Sequence, residues 1–119
     1  MKKNKILGRH CIVDISYCKY GRMDSIEYIK NVLIESSLES KLHIVDEKFY
    51  KFNPIGISGV LILSESHITI HTWPEYNFVA VDAFTCGNNM DPYCVCEKIS
   101  KKLGGTITYK QEFNRGEYK

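Results

Sequence analysis

The run "SGVLILSESHITIHTWPEYNFVAVDAFTC" (residues 58–86) decides the fold. Three strand-like stretches, Ser58–Ser64, His67–Trp73 and Phe78–Cys86, follow one another with only Ser-Glu-Ser and Pro-Glu-Tyr-Asn as punctuation. Connections this short make hairpins, because a parallel pair needs a crossover of about a dozen residues or more. The sheet should therefore be largely antiparallel. Within 67–73 the side chains of His67, Thr69, His71 and Trp73 share one face, and Ile68 and Ile70 point to the other. One face is built for a core and the other carries polar and aromatic groups.

The flanking sequence completes the architecture. "HCIVDISYC" (10–18) alternates as a first strand, and "MDSIEYIKNVLIESSLES" (23–40) then takes helical spacing, with Ile26, Ile29, Val32 and Leu33 on one stripe. Asp24 and Glu27 resemble a capping box that starts this helix near residue 25. "KLHIVDEKFYKF" (41–52) is a second strand and "NPIG" a turn. Asp91-Pro92 places an N-cap before an N1 proline. Cys96, Ile99 and Leu103 give a second helix its apolar stripe, Gly104-Gly105 ends it, and "TITYKQEF" (106–113) is a last strand. The order β-α-β-β-β-β-α-β is that of an α+β, two-layer sandwich, with two helices on one face of the sheet. The other face needs water or a partner. All 119 residues form one domain.

Composition removes several classes. Apolar residues make up 44% and charged residues 25%, as in a globular protein. A net charge of +2, with Lys2, Lys3 and Lys5 as a short basic tail, gives no footprint for nucleic acid. No apolar run reaches membrane-spanning length and the first ten residues lack a signal-peptide core, so the expected compartment is the cytoplasm. Five cysteines (Cys11, Cys18, Cys86, Cys94, Cys96) are an odd number and lack zinc-site spacing. Apart from Cys86 they read as free, mostly buried thiols.

Two chemistries fail on geometry and pattern. His67 and His71 lie roughly 13 Å apart along a strand, too far for one ion held by bonds of about 2.0–2.1 Å. Ser66 is not in a G-x-S-x-G elbow, and no glycine-rich oxyanion loop follows it.

The segment "GISGVLILSESHITIHTWPEYNFVAVDAFTCG" (56–87), with "LGRH" near the start and "YKFNPIG" before it, resembles the small prokaryotic, pyruvoyl-dependent S-adenosylmethionine decarboxylases. The resemblance implies a proenzyme that cleaves itself between Glu65 and Ser66 into chains 1–65 and 66–119. Ser66 Oγ would attack the Glu65 carbonyl, and elimination of the resulting ester would turn Ser66 into a covalent pyruvoyl group. That group then forms a Schiff base with the substrate amine and serves as the electron sink. By the same resemblance His71 is the proton acceptor in processing, Ser58 assists processing, and Cys86 is the proton donor in decarboxylation. Cys86→Ala would then still process. Phe52 and Trp73 would stack on adenine and Glu75 would bind the ribose hydroxyls. No metal is implied, and His67 has no assigned role.

The expected partners are S-adenosylmethionine and a second copy of the chain, packed sheet on sheet with active sites at the interface. The product would feed spermidine and other polyamine synthesis. The family commonly has glycine at the position of Asn77 and serine at that of Asn53, and Asn53 adjoins the expected substrate pocket. Arginine or ornithine decarboxylation on the same scaffold is therefore the main alternative; retention of Phe52, Trp73 and Glu75 favours S-adenosylmethionine. A non-catalytic paralogue would have lost Ser66, His71 or Cys86.

Overall fold

A computed structural model describes residues 5–19, 21–86 and 91–118. Lys2, Lys3 and Gly87 lie outside the described residues. Strand β1 spans Lys5–Ser16, helix α1 Ile26–Glu39, β2 Ile44–Lys51, β3 Ile57–Leu63, β4 Ser66–Trp73, β5 Phe78–Cys86, helix α2 Pro92–Lys102 and β6 Thr106–Tyr118. The six strands form one sheet in the order β2-β3-β4-β5-β1-β6. Every pairing is antiparallel.

The core lies between one face of this sheet and the two helices. Leu61, Ile68, Ile70, Val79 and Ala83 reach it from the sheet, and Ile29, Leu33, Cys96, Ile99 and Leu103 from the helices, all fully buried. The period of two in the strands and of 3.6 in the helices puts these residues on facing surfaces. Among the described residues no layer covers the opposite sheet face. It carries Ser58, Val60 and Ile62 of β3, His67, Thr69, His71 and Trp73 of β4, and Ala80, Asp82, Phe84 and Cys86 of β5. Several large apolar groups on it stay exposed, among them Ile62 (47%), Trp73 (40%) and Phe113 (47%).

Three local expectations change. Ser25 rather than Asp24 caps α1, its hydroxyl accepting from Tyr28 N at 3.2 Å. Asp24 instead accepts from Gly56 N at 2.7 Å and pairs with Lys51 at 2.7 Å, tying the start of α1 to the turn before β3. Strand β1 begins five residues before the range that alternation marked and ends two residues sooner, and β6 runs five residues further, because the two pair with each other along their whole length. Among the cysteines, Cys11, Cys18 and Cys96 are buried, but Cys94 is half-exposed at the start of α2, and all five are free. Burial pushes the Cys18 thiol up to about 11.

Candidate active site

The β3–β4 hairpin turns on two residues, Ser64 and Glu65, since Leu63 pairs directly with Ser66. The second residue of this turn, Glu65, takes left-handed backbone with φ 58°. Glu65 has a Cβ and no glycine-like freedom, so the residue before the Glu65–Ser66 bond sits in a sparsely populated region. Ser66 itself is already in β4 and keeps the parity of Ile68 and Ile70. The irregular residue is its neighbour, Glu65.

Strand β5 brings Cys86 against this turn. The Cys86 thiol donates to the Glu65 carbonyl oxygen, and the Cys86 N–H donates to Ser66 Oγ at 3.2 Å. The two donors hold the two groups that an N-to-O acyl shift brings together, the Glu65 carbonyl and the Ser66 hydroxyl: a donor on the carbonyl oxygen polarises the carbon that is attacked, and the N–H fixes the serine rotamer.

A second group forms at the other end of β4. Ser58 and His71 are directly opposite in the β3–β4 register, and Ser58 Oγ lies 2.8 Å from His71 Nδ1. When Nδ1–H donates to Ser58 Oγ, Nε2 keeps a lone pair and can accept a proton. A cavity of about 280 Å³ adjoins this pair and is lined by Phe52, Gly56, Ser58, His71, Trp73 and Glu75 among others. Phe52 (46% exposed) and Trp73 (40%) are not core residues, so part of each ring stays open to a ligand. Glu75 belongs to a 3₁₀ turn, Pro74–Tyr76, closed by Asn77 with φ 53°. That left-handed position explains why glycine suits it, and asparagine is the next most tolerant residue.

A hollow of about 420 Å³ beside α1, lined by Arg22, Tyr28 and Lys102 among others, contains none of the candidate site residues. Size alone does not mark the site. Within one chain the two β4 groups stay apart, because five residues of strand separate Ser66 from His71, roughly 16 Å.

The family model for S-adenosylmethionine decarboxylase matches residues 9–116. The chain belongs to the S-adenosylmethionine decarboxylase family. It is 43% identical over 110 residues to the S-adenosylmethionine decarboxylase proenzyme of Thermoanaerobacter sp. (strain X514), covering 92% of this chain and 89% of that one. It is 42% identical over 110 residues to the proenzyme of Clostridium tetani (strain Massachusetts / E88), covering 92% and 87%. The crystal structure of the adenosylmethionine decarboxylase from Aquifex aeolicus vf5 superposes with a TM-score of 0.86 at 33% identity, over 94% of this chain and 92% of that one.

Sequence reasoning missed a polar group on the open face. His10 Nε2 contacts Asp82 Oδ1, and Arg115 Nη1 donates to His10 Nδ1 at 2.9 Å. A donor on Nδ1 fixes the tautomer with the proton on Nε2, facing Asp82. Donor atoms of His10, His67 and Asp82 lie within 4.8 Å of one another. A cation bound there would sit against the Arg115 guanidinium, which works against a metal centre. These residues are 72 and 105 positions apart in sequence, and only the β1–β5 and β1–β6 registers bring them together.

Proposed function

We propose that the chain is a self-processing, pyruvoyl-dependent S-adenosylmethionine decarboxylase. The observation that carries this reading is the Glu65–Ser66 turn, with the Cys86 thiol on the carbonyl and the Cys86 N–H on the attacking hydroxyl. In processing, Ser66 Oγ attacks the Glu65 carbonyl carbon, the Glu65–Ser66 amide breaks and an ester forms between the same two residues. Cys86 stabilises the developing oxyanion. A base then removes the Ser66 α-proton, and Glu65 leaves as its carboxylate. The residue left at position 66 loses ammonia to water and becomes a pyruvoyl group, whose ketone supplies the electron sink for decarboxylation.

The chain's own residues do the rest. Cys86 holds a proton beside position 66 for the substrate carbon that loses CO₂. Phe52 and Trp73 present rings for adenine and for the sulfonium charge. Glu75 is placed to accept from ribose hydroxyls, and no metal ion enters the scheme.

His71 is the base of this scheme, and the roughly 16 Å along β4 means that its own Ser66 is out of reach. A second copy solves this. With a two-fold axis between two open sheet faces and across the strands, the His71 and Ser58 end of one β4 lies over the Ser66 and Cys86 end of the other. The exposed apolar side chains on that face favour such burial. We therefore assign the active form as a homodimer with two composite sites, in the cytoplasm, making the aminopropyl donor for polyamine synthesis. No helix among the described residues is long and apolar enough to cross a membrane.

Cleavage should not separate the pieces. β1, from residues 1–65, pairs between β5 and β6, both from residues 66–119. The two chains are expected to co-elute in native gel filtration and to part only in denaturant.

Release of CO₂ from carboxyl-labelled S-adenosylmethionine, arginine and ornithine tests the substrate. The proposal expects turnover of the first alone, and a rise in KM of about tenfold or more for Trp73→Ala, the loss of one stacking partner. Turnover of arginine or ornithine instead would contradict the assignment of Phe52, Trp73 and Glu75.

Asp24 offers a pH-dependent check on the same pocket. Burial raises its carboxyl, but the Lys51 ammonium and the Gly56 N–H outweigh that and hold it below its ordinary 3.8. A depressed carboxyl stabilises the fold above its unfolded pKa and loses that contribution as pH falls through its folded value. Between pH 5 and 8 the tie to Gly56 is intact, and Asp24→Asn should raise KM there with little change in kcat. An unchanged KM would show that the Gly56 turn is held without it.

A further inference from the structure

Phe84 lies on the open face beside the cleavage end, and no step above uses it. Its ring stacks on His67, with centroids 5.7 Å apart and planes at 23°. On its other side His10 meets it edge-on at 5.8 Å and 81°. His10 is anchored in turn by Asp82 and Arg115. His67, His10 and Phe113 all stand in the register row of Phe84, across β4, β1 and β6. The ring tip reaches out of this row over Gly8, where a Cβ would collide with it. Gly8 is the direct partner of Cys86 in the β1–β5 pair. Directly paired residues hold their side-chain origins about 4.5–5.5 Å apart, so the Phe84 ring occupies the space beside the Cys86 side chain that a larger residue 8 would have taken.

We propose that Phe84 is a positioning residue for Cys86: clamped between His67 and His10 and seated over Gly8, its ring walls the thiol toward the Glu65 carbonyl. His67 thereby acquires a role, and it acts through the plane of its ring rather than through a nitrogen. Glycine at position 8 is required because any side chain would expel the ring. The inference deepens the proposed function and rests on it for the step that Cys86 serves.

The test uses the full chain and reads two quantities. The first is the half-time of self-cleavage, followed by intact mass from the moment of refolding. The second is the rate of iodoacetamide alkylation at Cys86, mapped by peptide mass in a Ser66→Ala background, where no cleavage is needed. Phe84→Leu, Gly8→Ala and His67→Ala are compared with the ring-preserving Phe84→Tyr and His67→Phe, each at wild-type light-scattering mass.

The clamp predicts that the first three lengthen the half-time between about ten- and a hundredfold, the effect of misplacing a reacting group by about 1 Å. They should also alkylate faster at Cys86, while the ring-preserving pair stays within about twofold of wild type on both measures. Wild-type rates in Phe84→Leu, or a His67→Phe as slow as His67→Ala, overturn the proposal. A wild-type chain that never cleaves would instead defeat the functional reading. The alkylation rates still decide the clamp in that case: unchanged rates refute it and faster ones uphold it.

Discussion

Replacing Ser66 by alanine is expected to leave one uncleaved 119-residue chain with no decarboxylase activity above background. The effect is total because the acyl shift needs a heteroatom on Cβ, and no neighbour can provide one to the same carbonyl. Cys86 is already engaged with the oxygen of that carbonyl, and its attack would give a thioester to a side chain outside the cleaved bond. Ser66→Cys should therefore retain slow cleavage, since a thiol can make the same shift. Relative to the uncleaved wild-type chain, unfolding temperature should barely change in Ser66→Ala, because among the described residues the hydroxyl's bond is the 3.2 Å contact from Cys86 N–H, worth about 1 kcal/mol. A cleaved Ser66→Ala chain in SDS gels would remove Ser66 from the mechanism.

The second large effect concerns where His71 acts. His71→Ala alone should stall after the acyl shift, giving an ester-linked chain that splits when treated with hydroxylamine. Loss of the base should slow the natural reaction by about 10²- to 10⁴-fold. If each site takes Ser66 from one protomer and His71 from its partner, the two inactive variants complement. A mixed dimer of Ser66→Ala and His71→Ala has one site with both defects and one with neither. Co-refolding them in equal amounts should restore cleavage of the His71→Ala chain, to about one quarter of wild-type activity if protomers pair at random. A site confined to one chain predicts no recovery at any ratio. Ser58→Ala should follow His71 in this assay, because its hydroxyl lies 2.8 Å from His71 Nδ1.

The sheet was legible because the three central strands carry strict alternation and their connections are too short for crossovers. Both helices were legible too, from the apolar spacing of Ile29, Val32 and Leu33, and of Cys96 and Ile99, all buried. Boundaries were less so. Asp24 is as good a cap by type as Ser25, and only the demand of Lys51 and Gly56 for a carboxylate decides between them.

Residue types around Ser66 suggested reaction, but their division into two groups required the register. Ser58 faces His71 and Glu65 meets Cys86 at opposite ends of one strand. Cys86 illustrates the limit well. Resemblance gave the thiol a role after cleavage only, and its contact with the Glu65 carbonyl is what supports proposing one during cleavage as well. Cys86→Ala should thus slow processing as well as decarboxylation. The His10, Asp82 and Arg115 group was invisible, since nothing in three distant segments signals that β1 lies between β5 and β6.

The most direct test is the intact mass of the wild-type protein after native incubation. Self-cleavage predicts two masses, one for Met1–Glu65 with an ordinary carboxyl end and one beginning at position 66. The second should lack a free amino group, resist Edman degradation and gain two mass units on borohydride reduction of its ketone. A single full-length chain that persists through days at neutral pH would contradict the account.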